Sequence, residues 1–384
     1  MYPFILQEFA TFQAFLYTIL MLKFFISAGE YSGDIHAAYL VRELKKIFPD
    51  AIFSGIGGDN MRREGVELIQ HINDMGIIGF QEALRGVFKL RNLLKMSIEV
   101  IKNMDICIFV DYPGFNLKLS SYTKRAGKIN YYYIAPQVWA WWNFRVKFIK
   151  KNFDYVFVIL PFEEHFYRKY GIRVKYVGSP VLDSVLNAHV KEIKIPEGKK
   201  IIGLLPGSRY DEVRRLVPRL MKIKKILEED RKDLHFLMSL VPDFKVGEEE
   251  NLTILRGEAY EIMNASDFLI VASGTASLEA ALFGKPMVVI YALSEFSWIL
   301  AKLLARVKYA SLVNILADEM VVPEFIQHIP EREIARLILE YLDNKELYNN
   351  TMSRILKIRD SLKPGAARRA ALLIKKEVEK YGYA

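Results

Sequence analysis

Ile201-Ile202-Gly203-Leu204-Leu205-Pro206-Gly207-Ser208-Arg209 is an apolar run that stops at a small, polar, glycine-containing turn. The pattern returns as Phe268-Leu269-Ile270-Val271-Ala272-Ser273-Gly274-Thr275-Ala276-Ser277-Leu278-Glu279. Each run has the length and composition of a buried strand, and the sequence after each turn reads as a helix. A strand that ends in small residues and opens a helix leaves unpaired N–H groups pointing outward. The helix dipole adds partial positive charge there, so the turn attracts phosphate. Two such turns in one half-chain, one with an arginine and one followed by a glutamate, point to a nucleoside diphosphate and its ribose. The candidate nucleotide-binding residues are therefore Pro206, Gly207, Ser208, Arg209, Ser273, Gly274, Thr275 and Glu279. The Arg209 guanidinium can fork onto a diphosphate, and the Glu279 carboxylate can accept both ribose hydroxyls. The chain has no Asp-x-Asp pair, so a metal clamp on the diphosphate lacks its usual ligands. Arginine and helix dipole would then stabilise a leaving diphosphate, with no cofactor and no metal. Neither a Walker lysine loop nor His-Glu-x-x-His occurs, which disfavours P-loop ATP hydrolysis and zinc hydrolysis.

Outward from these cassettes, short apolar runs alternate with longer amphipathic stretches. Strands are predicted at 24–28, 51–56, 106–110, 130–134, 155–159 and 175–177, then at 201–205, 235–239, 253–255, 268–272 and 287–291. Helical patterns such as 35–48 and 211–230 lie between them, and the chain beyond Pro330 reads as wholly helical. This rhythm predicts α/β architecture with parallel sheets covered on both faces. It pauses in a polar stretch containing Pro180, Pro196 and Gly198. The predicted domains are 23–178 and 201–345, two doubly wound halves facing a cleft, with 179–200 as linker and 346–384 as C-terminal helices. Ligands of such sheets sit beyond the carboxyl ends of the strands.

The 384-residue chain is 52% hydrophobic, which suits a globular protein and not a disordered one. Its single cysteine excludes an intramolecular disulfide, and Cys107, inside an apolar run, reads as a small buried hydrophobe. A net charge of +9 implies an anionic partner. Without zinc-type Cys/His spacing or an RNA-binding aromatic pattern, nucleic acid is disfavoured against lipid or nucleotide phosphate. Residues 1–22 are apolar apart from Glu8 and a few polar groups. They fit neither a secretory signal nor a spanning helix. Two readings stay open: a dispensable, non-native extension before Met21, or an interfacial membrane anchor.

The first half carries weaker signals. Ser27-Ala28-Gly29-Glu30-Tyr31-Ser32-Gly33-Asp34 is a strand entering a glycine turn and a helix that Ser32 or Asp34 could cap. As a ligand loop it would bring Glu30, Ser32 and Asp34 to a sugar or phosphate; as an ordinary β–α turn it would do nothing more. Asp111 ends the strand at 106–110, where a general base would sit in this architecture. The alternative is a turn aspartate before Pro113-Gly114. Pro136-Gln137-Val138-Trp139-Ala140-Trp141-Trp142 concentrates tryptophan ahead of Arg145 and Lys147. Trp139 and Trp141 could stack on a sugar or line an acyl site, and Arg145 could hold a phosphate. Residues 76–96 interleave Arg85, Lys89, Arg91 and Lys95 with apolar groups. Such a helix can lie on an anionic membrane, although a solvated surface helix has the same pattern.

In order along the chain, these residues resemble the lipid-A-disaccharide synthase family, glycosyltransferases of the bacterial envelope. The resemblance runs from about Phe24 and takes in Ala28-Gly29-Glu30, Ser32-Gly33-Asp34, Gly57-Gly58, Met61, Glu64-Gly65 and Met75-Gly76-Ile77. It continues through Asp111, Phe115-Asn116-Leu117, Pro136, Val138-Trp139-Ala140-Trp141 and Leu160-Pro161-Phe162-Glu163. Both nucleotide cassettes, Ser311-Leu312, Asn314 and Gly365-Ala366-Ala367 complete it. The resemblance implies a GT-B fold whose last helices cross back to the first domain. It implies inverting transfer of 2,3-diacylglucosamine from its UDP ester to 2,3-diacylglucosamine 1-phosphate, giving a β-1,6-linked disaccharide 1-phosphate and UDP. It further implies a cytoplasmic protein held peripherally on the inner membrane by anionic phospholipid, and leaves room for a homodimer. On this basis Asp111 would be the base and Arg209 would stabilise departing UDP, with Glu279 on the ribose and Asn314 near the donor. Gly114 stands where the family often has a second carboxylate, so Asp111 would act alone. Trp142 and Phe144 stand at positions that can be basic, which shifts phosphate binding toward Arg145 or Lys147. Rival readings are another GT-B UDP-sugar transferase or epimerase, or a non-catalytic membrane-binding protein of the same fold.

Overall fold

The computed structural model describes residues 21–75, 83–140, 145–242, 244–293, 298 and 307–380. The chain forms two compact units: Met1–Pro180 together with Gly365–Ala384, and Val181–Pro364.

Unit one runs β1 (Lys23–Ala28), α1 (Tyr31–Ile47), β2 (Ile52–Gly57), α2 (Asp59–Arg63), β3 (Glu67–His71), α3 (Ala83–Ile101), β4 (Ile106–Val110) and α4 (Pro113–Arg125). It continues as β5 (Ile129–Tyr133), α5 (Arg145–Asn152), β6 (Tyr155–Val158), α6 (Pro161–Lys169) and β7 (Val174–Tyr176). Its sheet has the order β3-β2-β1-β4-β5-β6-β7, all pairs parallel. Apart from the half-buried Lys23 at the start of β1, the central strands are buried throughout, as parallel strands covered on both faces must be. One core layer packs α1 against Phe24, Ile26, Ile108 and Tyr131; the other packs Phe25, Phe109, Tyr132 and Val156 on the opposite face.

Unit two takes up α7 (Pro180–Leu186) from its second residue and continues as β8 (Lys200–Leu205), α8 (Tyr210–Asp230), β9 (Leu234–Leu240), β10 (Leu252–Arg256), α9 (Ala259–Ala265), β11 (Phe268–Ala272), α10 (Thr275–Leu282) and β12 (Met287–Tyr291). Then come α11 (Leu312–Ala317), β13 (Glu324–Ile326), α12 (Glu331–Asp343) and α13 (Lys345–Ser361); α14 (Ala366–Lys380) ends the chain in unit one. The second sheet is β10-β9-β8-β11-β12-β13, again parallel.

The α/β rhythm and both parallel sheets match the sequence reading. Two edge strands, β3 and β13, escape it because their residues are only partly buried and carry no continuous apolar run. The stretch 179–200 is not a bare linker: Val181 and Leu182 of α7 bury against Leu278, Leu282 and Leu362 inside unit two. The C-terminal helices do not travel together. Ile355 and Ile358 of α13 belong to the core of unit two, whereas Ala366, Ala370, Ala371 and Ile374 of α14 bury in unit one. Alanine on that face lets α14 pack against α1. Gly365 makes the break with φ 79°, in the left-handed region that glycine tolerates. Most of the 1–22 segment lies outside the described residues. Leu22, however, is buried, and its carbonyl accepts from the Ile52 N–H, so the fold already includes it. Of the basic apolar stretch, 76–82 lie outside the described residues. Farther on, Leu93 and Leu94 of α3 face the core while Lys89, Arg91 and Lys95 are exposed. Among the described residues, no helix is long and apolar enough to cross a membrane.

Candidate active site

In unit two, β8 and β11 are neighbours, with Leu205 opposite Val271. The two glycine turns therefore leave the sheet side by side. This is also where the strand order reverses: β9 and β10 lie to one side, β12 and β13 to the other. Such a switch point opens a crevice at the carboxyl ends of the strands. Gly207 has φ 107°, and a Cβ there would come 2.6 Å from Oε2 of Glu212. Gly274 has φ 145°, with open space where its Cβ would stand. Ser208, Arg209, Gly274 and Thr275 are exposed, while Pro206 is buried beneath them. Arg209 precedes α8, its guanidinium 3.5 Å from Glu212 in the first helical turn. The i, i+3 spacing of that pair is visible in the sequence, and it is the signal that brings Glu212 into the site. Burial raises the hydroxyl of Tyr291, half-buried at the end of β12, with the Glu212 charge adding to the rise and Arg209 and Arg215 opposing it.

The second cassette is anchored by its serines. Ser273 Oγ donates to the Ala310 carbonyl at 3.1 Å, and Ser277 Oγ to the Gly274 carbonyl at 2.8 Å. Glu279 is largely buried in α10 and accepts a 2.9 Å bond from the Tyr260 hydroxyl. Burial pushes its carboxyl above the usual range, and the Tyr260 bond pulls it back. Tyr260 orients this carboxylate, yet no local pattern marks it.

The Asn314 amide has no hydrogen-bonding capacity left for a ligand. It is fully buried: Nδ2 donates to the Val322 carbonyl and to Glu324, and Oδ1 accepts from the Val321 and Val322 N–H groups. That exhausts the capacity of a carboxamide. Glu324 in turn accepts from the Ala310 and Ser311 N–H groups. Asn314 thus holds the turn to which Ser273 is tied, and its expected donor contact gives way to a positioning role.

Unit one has its own switch point, between β1 and β4. Asp111 and Tyr112 follow β4 with φ 45° and 47°, two consecutive non-glycine residues in the left-handed region. Such conformations cost about 1–3 kcal/mol each and persist where surroundings enforce them. The enforcing residue is Asn116. Fully buried in α4, it accepts from Ser27 Oγ at 2.6 Å and donates to the carbonyls of Ser27, Val110 and Asp111. Tyr132 adds a 3.1 Å bond from its hydroxyl to the Asp111 carbonyl. Burial pushes that hydroxyl well above its usual range, with the Asp111 charge adding to the rise and the Arg145 charge opposing it. Tyr112 lies over the end of β1: a Cβ on Gly29 would fall 2.1 Å from its ring.

The glycine loop after β1 divides in role. Glu30 and Ser32 are exposed. Asp34 is buried and caps α2, accepting from the N–H groups of Gly58, Asn60 and Met61 and from the Asn60 amide. A carboxylate at a helix start offsets orphan donors and the dipole. Asp34 therefore holds the loop from within instead of meeting an acceptor, and neither it nor Ser32 serves as the side-chain cap of α1. Trp139 donates through Nε1 to Glu163 at 2.8 Å and packs edge-on to Phe162. Glu163 is fully buried and also accepts from the Ile159 and Leu160 N–H groups. Burial pushes its carboxyl up to about 7, and the three donors restrain the rise. Trp141 lies outside the described residues, as do Trp142 and Phe144. Cys107 is buried with its thiol pushed up by desolvation, which suits a packing residue. Among the described residues, no cluster of three or more His, Cys, Asp or Glu could hold a metal ion.

Two doubly wound parallel units, each with a switch point at its strand ends, define the GT-B architecture. Solved structures agree. The UDP-GlcNAc 2-epimerase from Neisseria meningitidis, bound to UDP-GlcNAc, matches with TM-score 0.65 and 12% identity over 93% of this chain and 100% of that one. The glycosyltransferase of kitacinnamycin matches with TM-score 0.64 and 12% identity over 93% and 99%. At these identities the likeness speaks for the fold. The family model described as lipid-A-disaccharide synthetase matches residues 24–377. The lipid-A-disaccharide synthase of Persephonella marina is 39% identical, covering 92% of this chain and 99% of its own length. Lipid-A-disaccharide synthase 1 of Legionella pneumophila strain Paris is 39% identical over 89% and 94%. The chain belongs to the lipid-A-disaccharide synthase family, glycosyltransferases of lipid A biosynthesis.

Proposed function

We propose that this glycosyltransferase joins UDP-2,3-diacylglucosamine to 2,3-diacylglucosamine 1-phosphate, with release of UDP. The Asp111 carboxylate takes the proton of the acceptor 6-hydroxyl. The freed oxygen attacks the anomeric carbon, the bond to the diphosphate breaks, and UDP departs with its electron pair, inverting the centre. Arg209 and the N–H groups around Gly207-Ser208 and Gly274-Thr275 stabilise that charge without bond rearrangement in the protein. Glu279, oriented by Tyr260, accepts the ribose hydroxyls. Basic side chains of α3 hold the protein peripherally on anionic phospholipid. The observation that carries the reading is the emergence of both glycine cassettes, with Arg209, side by side at one switch point.

The test is a mass-resolved assay with both lipids in detergent and EDTA. Disaccharide 1-phosphate appearing together with UDP supports the reading, including its independence of added metal. Conversion of the UDP-sugar without acceptor would favour the epimerase chemistry of the structural relatives instead. Turnover that vanishes only with EDTA would overturn metal independence alone.

A further inference from the structure

A groove of about 780 Å³ runs between α4 and α5 on unit one. From α4 it is lined by Pro113, Gly114, Leu117, Lys118, Tyr122 and Arg125. Their spacing puts them on one helical face. From α5 come Arg145, Lys147, Phe148 and Lys151. Five of these side chains are cationic, and among the described residues lining the groove none is acidic. Between the cations lie Pro113, Leu117 and the rings of Tyr122 and Phe148, each ring about one-third exposed. The Arg125 guanidinium stacks over Tyr122 at 4.7 Å from the ring centre. A concave surface with cations along an apolar floor is complementary to a molecule with an anionic head and a hydrocarbon tail.

The groove starts where the candidate base ends. Pro113 and Gly114 follow Asp111 and Tyr112 directly, and the charge of the groove residue Arg145 acts on the Tyr132 hydroxyl that bonds the Asp111 carbonyl. Nothing lies within 4 Å of the position a Gly114 Cβ would take, so the groove is open at its mouth. The 13 residues of α4 extend about 20 Å at 1.5 Å per residue. That exceeds one sugar ring and leaves length for hydrocarbon.

We propose that this α4–α5 groove is the subsite for the acylated sugar phosphate acceptor. Arg145, Lys118 and Lys147 meet its phosphate, and Leu117, Tyr122 and Phe148 meet the start of an acyl chain. The proposal rests on the transferase reading above. A bilayer surface would find the same charges, but it has no reason to place them in a concavity that begins beside Asp111.

The experiment uses the full chain in non-ionic detergent micelles, where no bilayer charge competes. Wild-type turnover is recorded first, since its absence would sink the transferase reading and leave the groove to a binding test. That test is calorimetry with 2,3-diacylglucosamine 1-phosphate alone. The K118Q/K147Q variant changes two surface side chains. It is expected to raise the acceptor KM, or weaken acceptor binding, about tenfold or more, the scale of losing charge-assisted bonds. The donor KM should hold within twofold. Diacylglucosamine lacking the phosphate should distinguish wild type from variant far less. Gly114→Leu, which fills open space, should raise the acceptor KM while leaving UDP affinity unchanged. Unaltered acceptor KM in both variants would overturn the proposal. So would an unaltered KM accompanied by loss of binding to vesicles rich in anionic phospholipid, which would make the groove a membrane contact.

Discussion

The two units share a strand order around the switch point, yet they treat it in opposite ways. In unit two the strand ends at β8 and β11 carry glycine, serine and an exposed arginine; Gly274 faces open space, while Gly207 is backed by the Glu212 side chain. In unit one the ends of β1 and β4 are closed: the Tyr112 ring lies against Gly29, and Asn116 bonds both strand ends. An open turn with outward N–H groups suits a diphosphate that brings its own charge. A closed, strained turn suits one carboxylate that must be held in place. In the mechanism proposed above, the same topology serves as a phosphate cradle in one unit and a base mount in the other, and the loop residues make the difference.

That comparison can be broken in order of expected effect. Asp111→Asn should lower kcat about 10²- to 10⁴-fold, the usual worth of a general base, while UDP affinity measured by calorimetry stays at the wild-type value. Unchanged turnover would remove Asp111 from the mechanism. Arg209→Ala should act on the other unit, lowering kcat/KM about 10²-fold and weakening UDP binding as well. Equal UDP affinity in both variants would erase the proposed division of labour.

Asn116→Ala tests how the unit-one turn is held. It orphans several buried partners at once, so a loss of about 3 kcal/mol or more is expected in denaturant unfolding, with activity falling alongside. A change below about 1 kcal/mol would mean that the Asp111–Tyr112 geometry is sustained by something else.

The gentlest test concerns Glu163 and Trp139. Glu163 has its folded pKa raised to about 7 from an ordinary 4.5. Its contribution to stability is therefore fully present below about 4.5 and is lost as pH rises through about 7. Glu163→Gln should flatten the thermal midpoint of the protein against pH across that window. It should also cost about 1–2 kcal/mol, because an amide NH₂ would face N–H donors. An identical pH dependence in wild type and variant would rule out Glu163 as the titrating group.

Much of this protein is local chemistry and was readable in one dimension. Strand runs such as 106–110 and 268–272 are apolar because both faces are covered, and the glycine turns declare themselves by residue type. Asp111 just past a strand end, Arg209 at a helix start and Glu279 one turn into a helix stand at places that the same rhythm locates. Other assignments depended on partners far along the chain. Asp34 reads as a ligand residue until α2 is seen to begin at its carboxylate. Asn314 reads as a donor contact until Val321, Val322 and Glu324 take up its amide.

By itself, then, the sequence determined the α/β class, the two phosphate-type turns and the family, because these follow from periodicity, residue size and motif order. The tertiary structure alone decided that β8 pairs with β11, that Ser27 meets Asn116, that α14 returns to α1, and that α4 and α5 line an open basic groove. Those contacts join segments remote in the chain, and their free energy comes from strand pairing and packing that no local pattern specifies.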